Sequence, residues 1–261
     1  MAGGPAYRFS RCPKCGSRDL PADQALPAAC PACGVILAKV APLPPGRRAR
    51  AAPAADDAAE PVAARWREAL LQVPERVDPL RWGLRVALIV ALAVWAVVLV
   101  RLDYRSGGMG ESFLHGPLLV FHEAGHVIFS PFGQWLMVAG GTLAQLLLPL
   151  IIIVVFLWQR HDPFGASVGL WLMGVSLLDV APYVYDALHP QLTLLNGSVG
   201  EEGGHDWIYL LESLGLGAQA QWLGAAVHKL GALVLLLALG WAAVLLRRQR
   251  RQFSGQALQG E

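Results

Sequence analysis

The densest chemistry in the chain sits in five consecutive residues, His122-Glu123-Ala124-Gly125-His126. On a helix, positions i and i+4 share a face, so both imidazoles can reach one ion while Glu123 is turned slightly aside. A zinc ion in such a grip lowers the pKa of water from 15.7 to about 7 and polarises a carbonyl. Glu123 is then placed to take a proton from that water and pass it to a leaving amine. The pattern predicts His122 and His126 as zinc ligands and Glu123 as the catalytic base of a hydrolase.

A catalytic zinc site normally has three protein ligands and one open position. Acidic residues inside apolar stretches are the first place to look for the third. Asp179 and Asp186 qualify, two helical turns apart with Pro182 between them. His205, in Gly203-Gly204-His205-Asp206-Trp207, is the loop alternative. His115 reads as a cavity-lining or supporting group, and Gln145 as an interhelical hydrogen-bond donor. Asp206 reads with His205 as a loop cap beside an interfacial Trp207. His161, His189 and Glu212 are expected at the surface, and His228 and Lys229 at the end of a span.

A second metal signal lies in the first 33 residues, where Cys12-Pro-Lys-Cys15-Gly is echoed by Cys30-Pro-Ala-Cys33-Gly. Two CxxC knuckles at this separation are the pattern of a zinc ribbon, with iron in the rubredoxin manner as the alternative ion. Disulfides or a redox CxxC would not call for the same knuckle twice. Four thiolates on zinc belong in a reducing compartment, which predicts a cytoplasmic N-terminus. The opening residues have no apolar core, so no signal peptide is expected.

Composition says what must carry these sites. Of 261 residues, 55% are hydrophobic and only 15% are charged, against about 25% charged in a soluble domain. A net charge of +2 gives no reason to expect a nucleic-acid partner. Apolar stretches at 84–100, 135–158, 165–188 and 222–246 are long enough to cross a hydrocarbon core of about 30 Å. A fifth, 113–129, is compromised by His115, His122, Glu123 and His126, and ionisable groups at membrane depth default to function. Five crossings would put the basic flank before the first span and Arg247, Arg248, Arg250 and Arg251 on opposite sides, against the positive-inside tendency. Either one segment is re-entrant or the tail is an exception. The stretch 132–141, FGQWLMVAGG, is the candidate for non-helical backbone at membrane depth. The expected organisation is a ribbon at 1–40, a flexible Ala/Pro-rich linker at 41–61 and an amphipathic juxtamembrane helix at 62–82. A transmembrane domain at 83–248 and a polar tail at 249–261 complete it. The fold class is mainly α, a multi-spanning helical membrane protein with a small zinc-ribbon domain.

The membrane HExxH and the later Asp179-Val180-Ala181-Pro182-Tyr183-Val184-Tyr185-Asp186-Ala187 resemble the motifs of the site-2 protease family. That family pairs HExxH with Asn-x-x-Pro…Leu-Asp-Gly, and the match spans about residues 113–190. Here Asp179 stands for the Asn, Tyr185 for the Leu and Ala187 for the Gly, with one residue less between. The resemblance implies Asp186 as third ligand and cleavage of peptide bonds in or near transmembrane segments. It also implies a membrane-embedded hairpin near Gly140-Gly141. The expected partners are a membrane-protein substrate, the lipid bilayer and a protein partner for the ribbon. The expected location is a bacterial inner membrane. The rival readings are a non-proteolytic membrane protein with a structural or metal-sensing zinc site, and a membrane scaffold that uses only its ribbon.

Overall fold

A computed structural model describes residues 9–22, 24, 28–39, 62–73, 78–200 and 204–257, so the expected linker at 41–61 lies outside the described residues. The chain divides into two compact units, Met1–Val62 and Ala63–Glu261. The first is built on two matching turns. Gly16 N donates to Cys12 O and Gly34 N to Cys30 O. Both glycines have positive φ, 74° and 70°, which a side chain would strain. Cys12, Cys30 and Leu37 form its small core against Phe9, Leu20 and Val35.

The second unit is helical: α1 (Val62–Leu71), α2 (Pro79–Arg101), α3 (His115–Phe129), α4 (Gln134–Val154, continued by a π turn Val155–Gln159), α5 (Pro163–Asp186), α6 (Asp206–Ser213) and α7 (Ala220–Ala257). Four segments are long and apolar enough to cross a membrane: Pro79–Arg101, Gln134–Gln159, Pro163–Asp186 and Gly217–Gln252. They mark an integral membrane protein and coincide with the four clean apolar stretches of the sequence. Two of the spanning helices, α2 and α5, start on Asp-Pro: Asp78 and Asp162 each accept from the backbone two residues on, with Pro79 and Pro163 at the first helical position.

The innermost helix is α5. In its most apolar window 72% of residues are buried, against 17–33% in the other three spans. That position explains why it tolerates Ser167, Ser176, Asp179 and Asp186: each faces protein rather than lipid. The surrounding helices expose Leu and Val instead, as α2 does with Leu84, Val90, Val94 and Val98.

The fifth apolar stretch is not among these four. At 15 residues, α3 is about 22 Å long, short of the hydrocarbon thickness. It starts in mid-bundle, where His115 meets Asp179 and Leu118 joins Leu92, Trp171 and Val175. It ends beside the start of α4, where His126 bonds Met137 O. Residues 102–114, irregular but for a 3₁₀ turn at Gly108–Glu111, carry the chain back into the bundle. The segment that turns back into the bundle is therefore 102–129. The expectation of non-helical backbone at 132–141 is corrected: α4 is helical from Gln134, and Gly140 and Gly141 lie within it. The start of α2 and the basic end of α7 meet at one end of the bundle, where Trp82 Nε1 donates to Leu246 O at 3.1 Å. Two boundaries also shift. The juxtamembrane helix ends at Leu71 and Pro79 already opens the first span, while α7 runs through Ala257, so the polar tail begins as helix.

Candidate metal centre

Close contact between α3 and α4 sets the position of the HExxH residues. A Cβ on Gly125 would collide with Gly140 O, and one on Gly140 would lie 2.6 Å from Gly125 O. The two helices therefore meet backbone to backbone. Gly141, one residue on, lies under the imidazoles: an added Cβ would be 2.5 Å from His122 Nε2 and 2.7 Å from His126 Nε2. The glycine pair lets α4 form a floor directly beneath the two rings, whose centroids are 4.9 Å apart.

Each ring is fixed through its far nitrogen. His126 Nδ1 bonds Met137 O at 2.9 Å, and His122 Nδ1 bonds the side-chain oxygen of Gln145 at 3.2 Å. Both acceptors are carbonyl oxygens, so each Nδ1 carries the proton and each Nε2 presents a lone pair. Gln145 is held in turn by Asp179, to which its amide donates at 2.7 Å, and Asp179 bonds His115 Nδ1 at 2.8 Å. Gln145 and Asp179 are both buried. The line His122–Gln145–Asp179–His115 thus satisfies four polar groups that burial would otherwise penalise.

The two Nε2 atoms converge on a carboxylate that the sequence did not single out. Asp206 Oδ2 lies 2.9 Å from His122 Nε2 and 3.3 Å from His126 Nε2. Glu123 lines the same cavity, and its carboxylate comes within 4.8 Å of both imidazoles.

Asp186, the expected third ligand, is engaged elsewhere. It accepts from Gln191 N at 2.8 Å and from Leu192 N at 3.2 Å, and faces His205 Nε2 at 3.4 Å. His205 caps α6 through its other nitrogen, which accepts from Ile208 N. Asp179 belongs to the line behind His122. None of the three candidates is the group brought to the imidazoles; the shared effect of Asp186 and His205 is to place Asp206. Asp186 ties down the chain after α5, His205 starts α6, and Tyr183 Oη accepts from Asp206 N at 3.0 Å. An acid followed by Trp-Ile-Tyr-Leu-Leu, in an apolar helix only eight residues long, was the available signal, because such a helix must lie against the bundle rather than in water.

The cavity over these groups has a volume of about 610 Å³. Its walls mix the polar cluster with Leu119, Met137, Val138 and Val180, and the segment 192–196 borders its mouth.

In the other unit, Cys12 Sγ and Cys33 Sγ are 3.6 Å apart, and Cys15 Sγ and Cys30 Sγ are 3.7 Å apart. All four are free thiols within 4.8 Å of one another. Zn–S bonds of about 2.3 Å in a tetrahedron set sulfurs roughly 3.8 Å apart, so the group fits such an ion. Burial raises the Cys12 thiol, but the N–H groups of Cys15 and Lys14 outweigh it and pull the thiol down to about 6. A hydrogen bond from the Ser17 backbone lowers Cys15, yet the neighbouring sulfurs together push it up to about 12. Four thiolates this close repel one another unless a cation sits among them.

No family model, curated protein or solved structure matches the chain, so the geometry of the centre is what supports a reading of it.

Proposed function

We propose that the chain is a membrane-embedded zinc metallopeptidase of the HExxH kind, similar in design to the site-2 proteases, with Asp206 completing the ligand set. The observation that carries this reading is the meeting of His122 Nε2, His126 Nε2 and Asp206 Oδ2 at 2.9 and 3.3 Å, with both Nδ1 atoms tied behind. Metal–ligand bonds of about 2.0–2.1 Å in a tetrahedron separate donor atoms by roughly 3.3 Å. Two neutral imidazoles and one carboxylate make a His₂-carboxylate set that suits zinc and leaves one position open.

When bound, zinc supplies Lewis-acid polarisation of a carbonyl and acidifies water. The residues do the rest. Glu123 receives a proton from the attacking water and returns it to the leaving nitrogen. Gln145 and the Met137 carbonyl keep both rings in the tautomer that ligation needs. The apolar wall of Leu119, Val138 and Val180 suits the side chains of a membrane segment, and exclusion of water strengthens every charge interaction inside. The four-cysteine cluster fits a second, structural zinc. The positive-inside tendency assigns the shared basic end to the cytoplasm, which sets the cavity, near the Asp186 end of α5, towards the opposite leaflet.

The test is a trio of variants in purified full-length protein. Glu123→Gln should retain two zinc ions per chain and lose turnover of an unstructured peptide. Asp206→Ala should lose the bundle zinc, while Asp186→Asn should keep a measurable fraction of it. Full turnover in Glu123→Gln would leave a structural or sensing site instead. One zinc per wild-type chain, held by the cysteines, would leave the scaffold reading.

A further inference from the structure

Tyr183 occupies a position in the centre that ligand placement alone does not account for. Its hydroxyl accepts a hydrogen bond from Asp206 N, and among the described residues no acceptor takes the phenolic proton. The ring lies near two imidazoles, its centroid 4.2 Å from that of His205 and 6.0 Å from that of His122. The residue lines the cavity alongside Glu123, His126 and Asp206. A hydroxyl lining a cavity normally donates as well as accepts. Here a donor sits beside the ligand cluster and, among the described residues, has no acceptor.

We propose that Tyr183 is a catalytic residue whose O–H donates to the substrate oxygen that becomes negative during amide hydrolysis. The assignment rests on the peptidase reading above. In the attack, the water oxygen forms a bond to the scissile carbonyl carbon, the carbonyl π pair moves onto its oxygen, and Glu123 takes the water proton. Tyr183 Oη–H stabilises that oxygen by hydrogen bonding and is not consumed. When the C–N bond breaks, the electron pair returns to the C–O bond and the Glu123 proton passes to the amine. One water is consumed, giving a carboxylic acid and an amine. A donor held in place before reaction pays no reorganisation cost when charge develops, and that is why such groups act mainly on kcat.

The experiment compares wild type and Tyr183→Phe as full-length protein in detergent, with zinc and with cobalt. The probes are a peptide substrate and a phosphinic peptide, which mimics the tetrahedral adduct. The expected result is a fall in kcat of about 10²–10³-fold with KM within about twofold. Phosphinic-peptide affinity should fall with kcat, while zinc stoichiometry and the visible cobalt spectrum stay unchanged. Wild-type kcat and phosphinic affinity in Tyr183→Phe overturn the assignment. Loss of metal, or an altered cobalt spectrum, also overturns it, because the hydroxyl would then serve only to place Asp206. Wild-type protein that neither cleaves the peptide nor binds the phosphinic mimic overturns the underlying reaction as well. Wild-type turnover with an unaffected Tyr183→Phe removes Tyr183 alone.

Discussion

Gly141→Ala adds one methyl group and replaces no proposed ligand, and the structure says where the methyl must go. Ordinary contact begins near 3.4 Å, and the new carbon would stand 2.5 Å from His122 Nε2 and 2.7 Å from His126 Nε2. The rings must retreat by about 0.9 and 0.7 Å, or α3 and α4 must part. Side-chain ends often move that far at little cost, but these two are pinned at Nδ1 by Gln145 and the Met137 carbonyl. Parting the helices is resisted too, because Gly125 already lies against Gly140. Overpacking of this kind costs about 1–3 kcal/mol, which weakens zinc binding by roughly 5- to 150-fold if the cost falls on the metal-bound geometry. A displacement near 1 Å at reacting groups lowers turnover by about 10²-fold. Zinc affinity measured by chelator competition, with far-UV circular dichroism to verify helicity, reads the effect. Gly116→Ala on the same α3, where nothing lies within 4 Å of the new carbon, is the control. A Gly141→Ala protein that binds zinc as wild type does would refute the claim that the glycine pair sets the floor of the centre.

Gln145→Leu should leave His122 Nδ1 without its acceptor and Asp179 without a donor, lowering zinc affinity or activity by about 10- to 100-fold; isothermal titration with zinc, beside peptide turnover, checks it. Asp179→Asn keeps the volume but weakens the hold on Gln145 and His115, so a smaller loss in the same assay is expected. Cys33→Ser should release one zinc per chain on chelator challenge while the thermal unfolding of the helical bundle stays unchanged, because the cysteines belong to a separate compact unit; a shifted bundle transition would count against that independence. If the basic end is cytoplasmic, a cysteine at Asn196 reacts with an impermeant maleimide from outside intact cells and one at Arg248 does not; the reverse labelling would invert the topology.

Four spans were legible because apolar length is a local property: each run of about 20 Leu, Val, Ala and Ile residues appears in the structure as a helix of matching extent. The HExxH face was legible for the same reason, since i and i+4 converge on any helix. The Cys knuckles likewise declare themselves within five residues. What could not be read was whatever depends on a return of the chain. Residues 102–114 dip into the bundle because Met109 finds a buried niche there, a contact with residues distant in sequence. Gly140 and Gly141 carry no local mark that separates a close helix crossing from a break, and the resemblance to the site-2 proteases favoured the break.

Asp186 and Asp206 show the same limit in the centre itself. Both are acids beside aromatic residues, and the resemblance to the site-2 protease motif favoured Asp186, which follows Asp179 by two turns on the buried helix. Spacing cannot report that the carboxylate of Asp186 is already taken by two backbone N–H groups at the start of the next loop. A carboxylate engaged that way has fewer lone pairs to offer an ion, whereas Asp206 enters the cavity from a helix N-terminus with one oxygen directed at both imidazoles. The loop after α5 is therefore part of the centre. Its anchoring by Asp186 and His205 determines whether the third carboxylate arrives, so changes at these two residues should alter metal retention before they alter the stability of the spans.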